Sequence, residues 1–155
     1  MNSILLFLLL TSPVAQGGSS FLVRDINGKV VNLDKHKDKV IMLNFWATWC
    51  APCKAEMPHL QKIQNKYKDK FMLISISVDE ARQGSAVKAL VKSRGYKFTV
   101  VHDKETTIVP QYIPSKSIPY TVIDDQEGNI VYTKNGYTPG DEDKFYHVIE
   151  KLLNE

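Results

Sequence analysis

The alternation of apolar and polar positions along the chain predicts a core unit of strand, helix and strand. Residues 40–45 and 71–78 are nearly continuous apolar runs, the pattern of strands that are buried on both faces. Between them, Ala51–Tyr67 carries Met57 and Leu60 with other apolar residues at helical spacing. Strands connected in this way run parallel through a right-handed crossover, so the pattern predicts a βαβ unit.

The patterns on either side predict a hairpin before this unit and further strands and helices after it. Residues 21–23 and 30–33 flank Asn27-Gly28, a dipeptide favoured in tight β-turns. Later elements are expected at 85–94 (a helix ended by Gly95), 98–101 (a strand), 106–112 (one or two helical turns), and 120–123 and 130–133 (an antiparallel pair of strands). A last helix is expected to start near Thr138, Pro139 and Asp141. Its apolar residues form one stripe, made of Phe145, Val148, Ile149, Leu152 and Leu153. The whole pattern predicts an α/β domain with helices on both faces of a mixed sheet.

Length and composition agree with one folded domain. The chain has 155 residues, 43% of them apolar, and the 7 Tyr, 6 Phe and 2 Trp argue against general disorder. The formal net charge is only +3, and no run of Lys or Arg exceeds two residues. We therefore expect no nucleic-acid partner, and we expect a monomer.

The N-terminal segment has the pattern of a secretory signal. An unbroken apolar run at 4–10 is followed by small residues at Ala15, Gly17 and Gly18. The run is far shorter than the roughly 20 apolar residues that span a bilayer. We therefore expect a signal peptide at 1–17, a domain at 18–155, and a periplasmic or otherwise extracytoplasmic location.

The candidate chemistry lies in Cys50-Ala51-Pro52-Cys53, which contains both cysteines of the chain. C-x-x-C at the start of a helix in a βαβ unit is a redox motif, because positions three apart on a helix share a face and the two sulfurs can meet. The helix N-terminus favours an anion, so Cys50 is the expected nucleophile and Cys53 the shielded partner. The pair itself is then the redox group, with no further cofactor and no metal. An inert disulfide or half of a zinc site are the alternatives, although zinc needs about four ligands.

A longer stretch around the cysteines resembles a known family. Residues 44–58 (NFWATWCAPCKAEMP) resemble the active-site segment of thioredoxin-like proteins, and more narrowly of the secreted TlpA/ResA-like thiol–disulfide reductases. Residues 117–121 (SIPYT) resemble the family's cis-proline loop. The resemblance covers roughly residues 20–155, including the hairpin and a central α/β insertion at 85–101. Cytoplasmic thioredoxins carry a buried Asp where this chain has Asn44.

The resemblance also implies roles for residues around the cysteines. Glu56 matches a family glutamate and lies one helical turn after Cys53, where a carboxylate could take the Cys53 proton. An exposed helix glutamate is the alternative. The expected substrate-contacting residues are Trp49, Ala51, Pro52, Ile118 and Pro119. A cis Ile118–Pro119 bond is expected to face Cys50, the alternative being an ordinary proline at the start of a strand.

The function implied by the resemblance is that of an extracytoplasmic thiol–disulfide oxidoreductase. It would reduce protein disulfides, would itself be reduced by a membrane thiol electron donor, and could serve cytochrome c maturation. A thiol oxidase of the same fold and a copper or zinc carrier using the two cysteines remain as alternatives.

Overall fold

A mixed five-stranded sheet lies at the centre of the computed structural model, which describes residues 20–115 and 117–154. The strands are β1 Leu22–Arg24, β2 Val30–Asn32, β3 Val40–Trp46, β4 Phe71–Ser77, β5 Thr99–His102, β6 Tyr120–Asp124 and β7 Ile130–Asn135. The helices are α1 Ala51–Tyr67, α2 Gly84–Arg94, α3 Val109–Tyr112 and α4 Asp141–Asn154. The expected signal peptide at 1–17 lies outside the described residues.

The sheet has the strand order β5-β4-β3-β6-β7. β3 is parallel to β4, which is parallel to β5, whereas β6 runs antiparallel to both β3 and β7. β1 and β2 form a separate antiparallel hairpin. The predicted βαβ unit, the two antiparallel pairs and the mixed sheet are therefore confirmed.

Two apolar cores lie on opposite faces of the sheet, because successive side chains of a strand point to opposite faces. Met42 and Trp46 of β3 pack on the face covered by α1, α2 and α4. Leu43 and Phe45 pack on the face covered by the hairpin and α3. The expectation of helices on both faces is correct, although α3 contributes only one turn.

Several element boundaries differ from the prediction by a few residues. α3 begins at Val109, not near Thr106, because Thr106 has a φ of 53°, in the left-handed region that a right-handed helix cannot use. β5 begins one residue later than expected and ends at His102. α4 begins at Asp141, whose carboxylate accepts a hydrogen bond from the Thr138 backbone N–H, so the expected residues do mark its start.

Strand directions bring three segments to one edge of the sheet. β3 ends at Trp46, and a short turn leads from it to α1. Tyr120, the first residue of β6, pairs with Phe45, so the loop before β6 reaches the same edge. The segment after β4 also arrives there, because β4 is parallel to β3. Among the described residues, no helix has the length and apolar character needed to cross a bilayer.

Candidate active site

A disulfide joins Cys50 and Cys53 at the N-terminus of α1, with a Cα–Cα distance of 5.3 Å. Cys50 is the N-cap residue of the helix, and its Sγ accepts a hydrogen bond from the Cys53 backbone N–H at 3.3 Å. Cys53 is fully buried and Cys50 is 5% exposed. The N–H groups of the first turn of the helix carry a partial positive charge, and this charge stabilises a thiolate at Cys50 once the disulfide is reduced.

The surface around Cys50 is formed by residues that the sequence assigned to substrate contact. Trp49 is 65% exposed, which is unusual for so large an apolar side chain. Ala51 and Pro52 are also exposed, and Pro52 lies in the first turn of α1, where a missing N–H costs nothing. Substrate contact by these three residues remains a proposal.

Glu56 is buried, at 1% exposure, one turn after Cys53 on α1. Its Oε2 accepts a hydrogen bond from Asn44 Nδ2 at 2.8 Å, and its Oε1 accepts one from Thr121 Oγ1 at 3.5 Å. Burial raises the pKa of Glu56 to about 7, although these two hydrogen bonds act to lower it. The alternative that Glu56 is an exposed helix residue is therefore wrong.

The two donors to Glu56 stand side by side because of strand register. Asn44 on β3 pairs directly with Thr121 on β6, so both side chains point to the face that α1 covers. Asn44 Nδ2 also donates to Thr121 Oγ1 at 3.2 Å. An amide here supplies a donor to the Glu56 carboxylate, whereas an aspartate would place a second negative charge next to it.

Charged residues beyond this pair also act on Glu56. Asp141 at the start of α4 raises the pKa of Glu56, and Lys134 on β7 lowers it. Lys134 and Asp141 form an ion pair at 3.2 Å, so the two effects come from one paired group. Asp141 is itself 5% exposed, which reduces screening by solvent.

The Ile118–Pro119 peptide bond is cis, as predicted. Pro119 is buried and Ile118 is half-buried, and the Pro119 carbonyl accepts a hydrogen bond from the Gly136 N–H at 2.8 Å. The register of β6 places this bond at the edge of the sheet where β3 ends. Its orientation toward Cys50 and its contact with substrate remain predictions.

Three residues of the site were not singled out from the sequence: Thr48, Asp79, and Thr121, which donates a hydrogen bond to Glu56. Asp79 is 2% exposed and accepts hydrogen bonds from both the backbone N–H and the hydroxyl of Thr48. The available signal was the segment that begins with Asp79, directly after the apolar run at 71–78. Because β4 is parallel to β3, that segment had to lie at the edge that holds the cysteines.

The described residues contain no group of three or more His, Cys, Asp or Glu side chains arranged to hold a metal ion. His59, the histidine nearest in sequence to Cys53, faces Glu142 instead, with Nδ1 and Oε1 3.1 Å apart.

The chain is similar in sequence and in fold to known proteins. The Redoxin family profile matches residues 18–149. The thiol-disulfide oxidoreductase ResA of Bacillus cereus is 40% identical over 100 residues, which cover 64% of this chain and only 57% of that relative.

Several solved structures are similar over most of the chain. The thiol:disulfide interchange protein, thioredoxin family protein of Chlorobium tepidum has a TM-score of 0.76 at 26% identity, covering 88% of this chain and 94% of that one. The pneumococcal exposed lipoprotein thioredoxin Etrx1 of Streptococcus pneumoniae has a TM-score of 0.74 at 25% identity, covering 86% of this chain and 100% of that one.

Proposed function

This chain belongs to the Redoxin family, and from that premise we propose that it is a thiol–disulfide oxidoreductase that reduces protein disulfides outside the cytoplasm. The observation that carries the proposal is the Cys50–Cys53 disulfide at the N-terminus of α1, with the buried Glu56 carboxyl group one turn further along. An inert structural disulfide needs neither the helix N-terminus nor a buried titrating group beside it.

In the proposed reaction the reduced dithiol supplies two electrons to a client disulfide. The Cys50 thiolate attacks one client sulfur, the client S–S bond breaks, and a mixed disulfide forms while the leaving client thiolate takes a proton. Cys53, as a thiolate after losing its proton, then attacks the Cys50 sulfur, the mixed disulfide breaks, and the second client thiolate leaves and takes up a proton. The client ends as a dithiol and this chain as the Cys50–Cys53 disulfide, which a dithiol donor must reduce again.

Glu56 is the proposed base for the second step. Cys53 is fully buried and has to lose its proton before it can attack. The pKa of the Glu56 carboxyl group, about 7, is close to a neutral operating pH, and a general base works best when its pKa is close to that pH. Asn44 and Thr121 hold the carboxylate in place through hydrogen bonds to both of its oxygens.

Export and the direction of electron flow are further parts of the proposal. The apolar N-terminal segment supports export, and a similar solved structure is described as an exposed lipoprotein. The similarity to ResA supports an oxidoreductase, with a membrane thiol donor as the proposed source of electrons. Oxidised C-x-x-C-H segments, the haem-attachment sites of c-type cytochromes, are the client class that we would test first.

Trapping of mixed disulfides tests the proposal. We expect Cys53→Ser to accumulate covalent complexes with an oxidised C-x-x-C-H peptide, because no thiol remains to resolve them. We expect Cys50→Ser to accumulate few, because the remaining thiol is buried. Non-reducing electrophoresis and mass spectrometry measure both outcomes, and both variants should lose turnover.

The opposite pattern would reverse the roles of the two cysteines. If neither variant forms a covalent complex with the peptide, exchange chemistry is contradicted. The reduction potential of the Cys50–Cys53 couple separates a reductase from an oxidase, since known proteins of this kind range from about −270 mV to about −120 mV. A value at the oxidising end would favour the oxidase. Stoichiometric tight binding of Cu(I) or Zn²⁺ by the reduced protein would favour a metal carrier.

A further inference from the structure

Asp79 lies just beyond the end of β4 and accepts hydrogen bonds from two neighbouring segments. Its Oδ1 accepts the Thr48 hydroxyl at 2.6 Å, and its Oδ2 accepts the Thr48 backbone N–H at 3.0 Å and the Ser77 hydroxyl at 2.8 Å. The backbone carbonyl of Asp79 lies 2.9 Å from His102 Nε2 on β5. A carboxylate that is 2% exposed and bonded in this way has a fixed position.

The segment that Asp79 holds is the turn from which the nucleophile is presented. Thr48 lies between the end of β3 and Cys50, and the turn closes with a hydrogen bond from the Cys50 N–H to the Ala47 carbonyl at 3.1 Å. A second bond, from the Val78 N–H to the Trp46 carbonyl at 2.8 Å, fixes the residue that precedes the turn. Within this turn, Thr48 donates hydrogen bonds to the Asp79 carboxylate from both its backbone N–H and its side-chain hydroxyl.

We infer that Asp79 is a positioning residue for the nucleophile: by binding Thr48 it holds the 47–50 turn so that Cys50 stays at the N-terminus of α1. The inference rests on the proposed function, because it concerns the reactivity that exchange requires of Cys50. Without the Asp79–Thr48 contact the turn samples other conformations, in which the Cys50 sulfur loses the N–H group that stabilises its charge.

Thr48→Val is the primary test, because it removes the hydroxyl at nearly constant volume and changes no charge. We expect the rate constant for alkylation of Cys50 in the reduced protein to fall on the order of tenfold at neutral pH, since one hydrogen bond to a carboxylate is worth about that factor. The pH midpoint of the reaction should rise. Thr48→Ser, which keeps the hydroxyl, should restore both values. Peptide mass spectrometry locates the label on Cys50.

Asp79→Asn distinguishes positioning from a simple effect of charge. Removal of a nearby negative charge alone favours the Cys50 thiolate and speeds alkylation. Loss of the hydrogen bonds between Asp79 and Thr48 instead slows alkylation of Cys50, in the same direction as Thr48→Val. Faster alkylation in Asp79→Asn, or an unchanged rate in Thr48→Val, would overturn the inference.

Asp103→Asn is the matched control. Asp103 is a second buried carboxylate at the end of the neighbouring strand β5, where it accepts backbone hydrogen bonds from Thr107, Ile108 and Val109 and makes no hydrogen bond to the 47–50 turn. Its loss should lower the stability of the fold without changing alkylation of Cys50. If it slows alkylation as much as Asp79→Asn does, general destabilisation explains the result and the inference fails.

These measurements use a small alkylating reagent, so they do not depend on a client. A wild-type chain that reduces no disulfide but shows the Thr48 and Asp79 effects would remove the proposed function and leave the positioning role intact.

Discussion

At the level of single residues, burial gives Glu56 a property that its sequence position does not reveal. The carboxyl group loses almost all of its contact with water and gains two hydrogen bonds in exchange. Burial disfavours the charged form more than Asn44 and Thr121 favour it, so the pKa rises from 4.5 to about 7. Glu56 therefore changes its charge within the neutral range.

Replacement of Glu56 by Gln should slow the release of the client. We expect resolution of the mixed disulfide to accelerate in the wild type as pH rises through about 7, when Glu56 becomes able to accept the Cys53 proton. In Glu56→Gln this acceleration should disappear and the rate above pH 7 should fall by at least about tenfold. Stopped-flow measurement of mixed-disulfide decay against pH provides the test. Glu127→Gln, on an exposed turn, is the control. Unchanged rates would remove Glu56 from the mechanism.

The same substitution should raise stability at alkaline pH. A carboxyl group whose folded-state pKa is raised binds its proton more tightly in the folded than in the unfolded chain. The free energy of unfolding should therefore fall as pH rises from about 4.5 to about 7, by about 3 kcal/mol from this group. Glu56→Gln should lack this decrease and be the more stable protein at pH 8. Urea unfolding at several pH values measures the difference, and parallel curves for the two proteins would contradict a buried titrating group.

At the level of secondary structure elements, the start of α4 depends on Asp141. Its carboxylate accepts the Thr138 N–H and pairs with Lys144 at 2.8 Å and Lys134 at 3.2 Å. The Lys144 hydrogen bond and then the Thr138 N–H lower the pKa of Asp141 to about 2. Such a group stabilises the fold above its unfolded-state pKa of about 4, and this contribution is lost as pH falls toward 2.

We expect Asp141→Asn to lower the free energy of unfolding at pH 7 by about 2 kcal/mol. The difference from the wild type should shrink as pH falls below about 4. Asp143→Asn, an exposed acid in the same first turn, should change stability by no more than roughly 0.5 kcal/mol. Equal losses for the two variants would show that only the general charge of the helix start matters.

Elements with strong local signals could be predicted closely from the sequence. α1 covers Ala51–Tyr67 as expected, because its start is marked by Pro52 and its interior by regular apolar spacing. Gly95 ends α2 with a φ of 68°, a conformation that favours glycine. α3 could not be predicted as well, because the positive φ of Thr106 leaves no mark in the sequence.

At the level of the whole molecule, the fold class and the redox pair could be predicted, but the network around them could not. The C-x-x-C motif and the βαβ pattern are local, so they are visible in sequence. The contacts of Glu56 with Asn44 and Thr121 join residues that are 12 and 65 positions apart, and the contact of Asp79 with Thr48 joins residues that are 31 positions apart. They depend on strand order and register, which an amphipathic pattern does not specify.

Substitutions in and next to the hairpin test whether the two apolar cores, one on each face of the sheet, unfold as one cooperative unit. Leu33, which follows β2, is 1% exposed and packs in the core on the hairpin face, whereas Leu22 in β1 is 68% exposed. We expect Leu33→Ala to lower the free energy of unfolding by about 3 kcal/mol through lost burial and a cavity. Leu22→Ala should change it by less than roughly 0.5 kcal/mol.

Because the two cores share the central sheet, Leu33→Ala should shift a single transition in urea, seen alike by tryptophan fluorescence and by circular dichroism. Trp46 packs on the opposite face of the sheet from Leu33, so its environment reports on the other core. If the fluorescence transition stays in place while circular dichroism shows an earlier step, the hairpin and its core unfold separately. A common shift instead means that loss of packing beneath the hairpin destabilises the sheet that carries the cysteines.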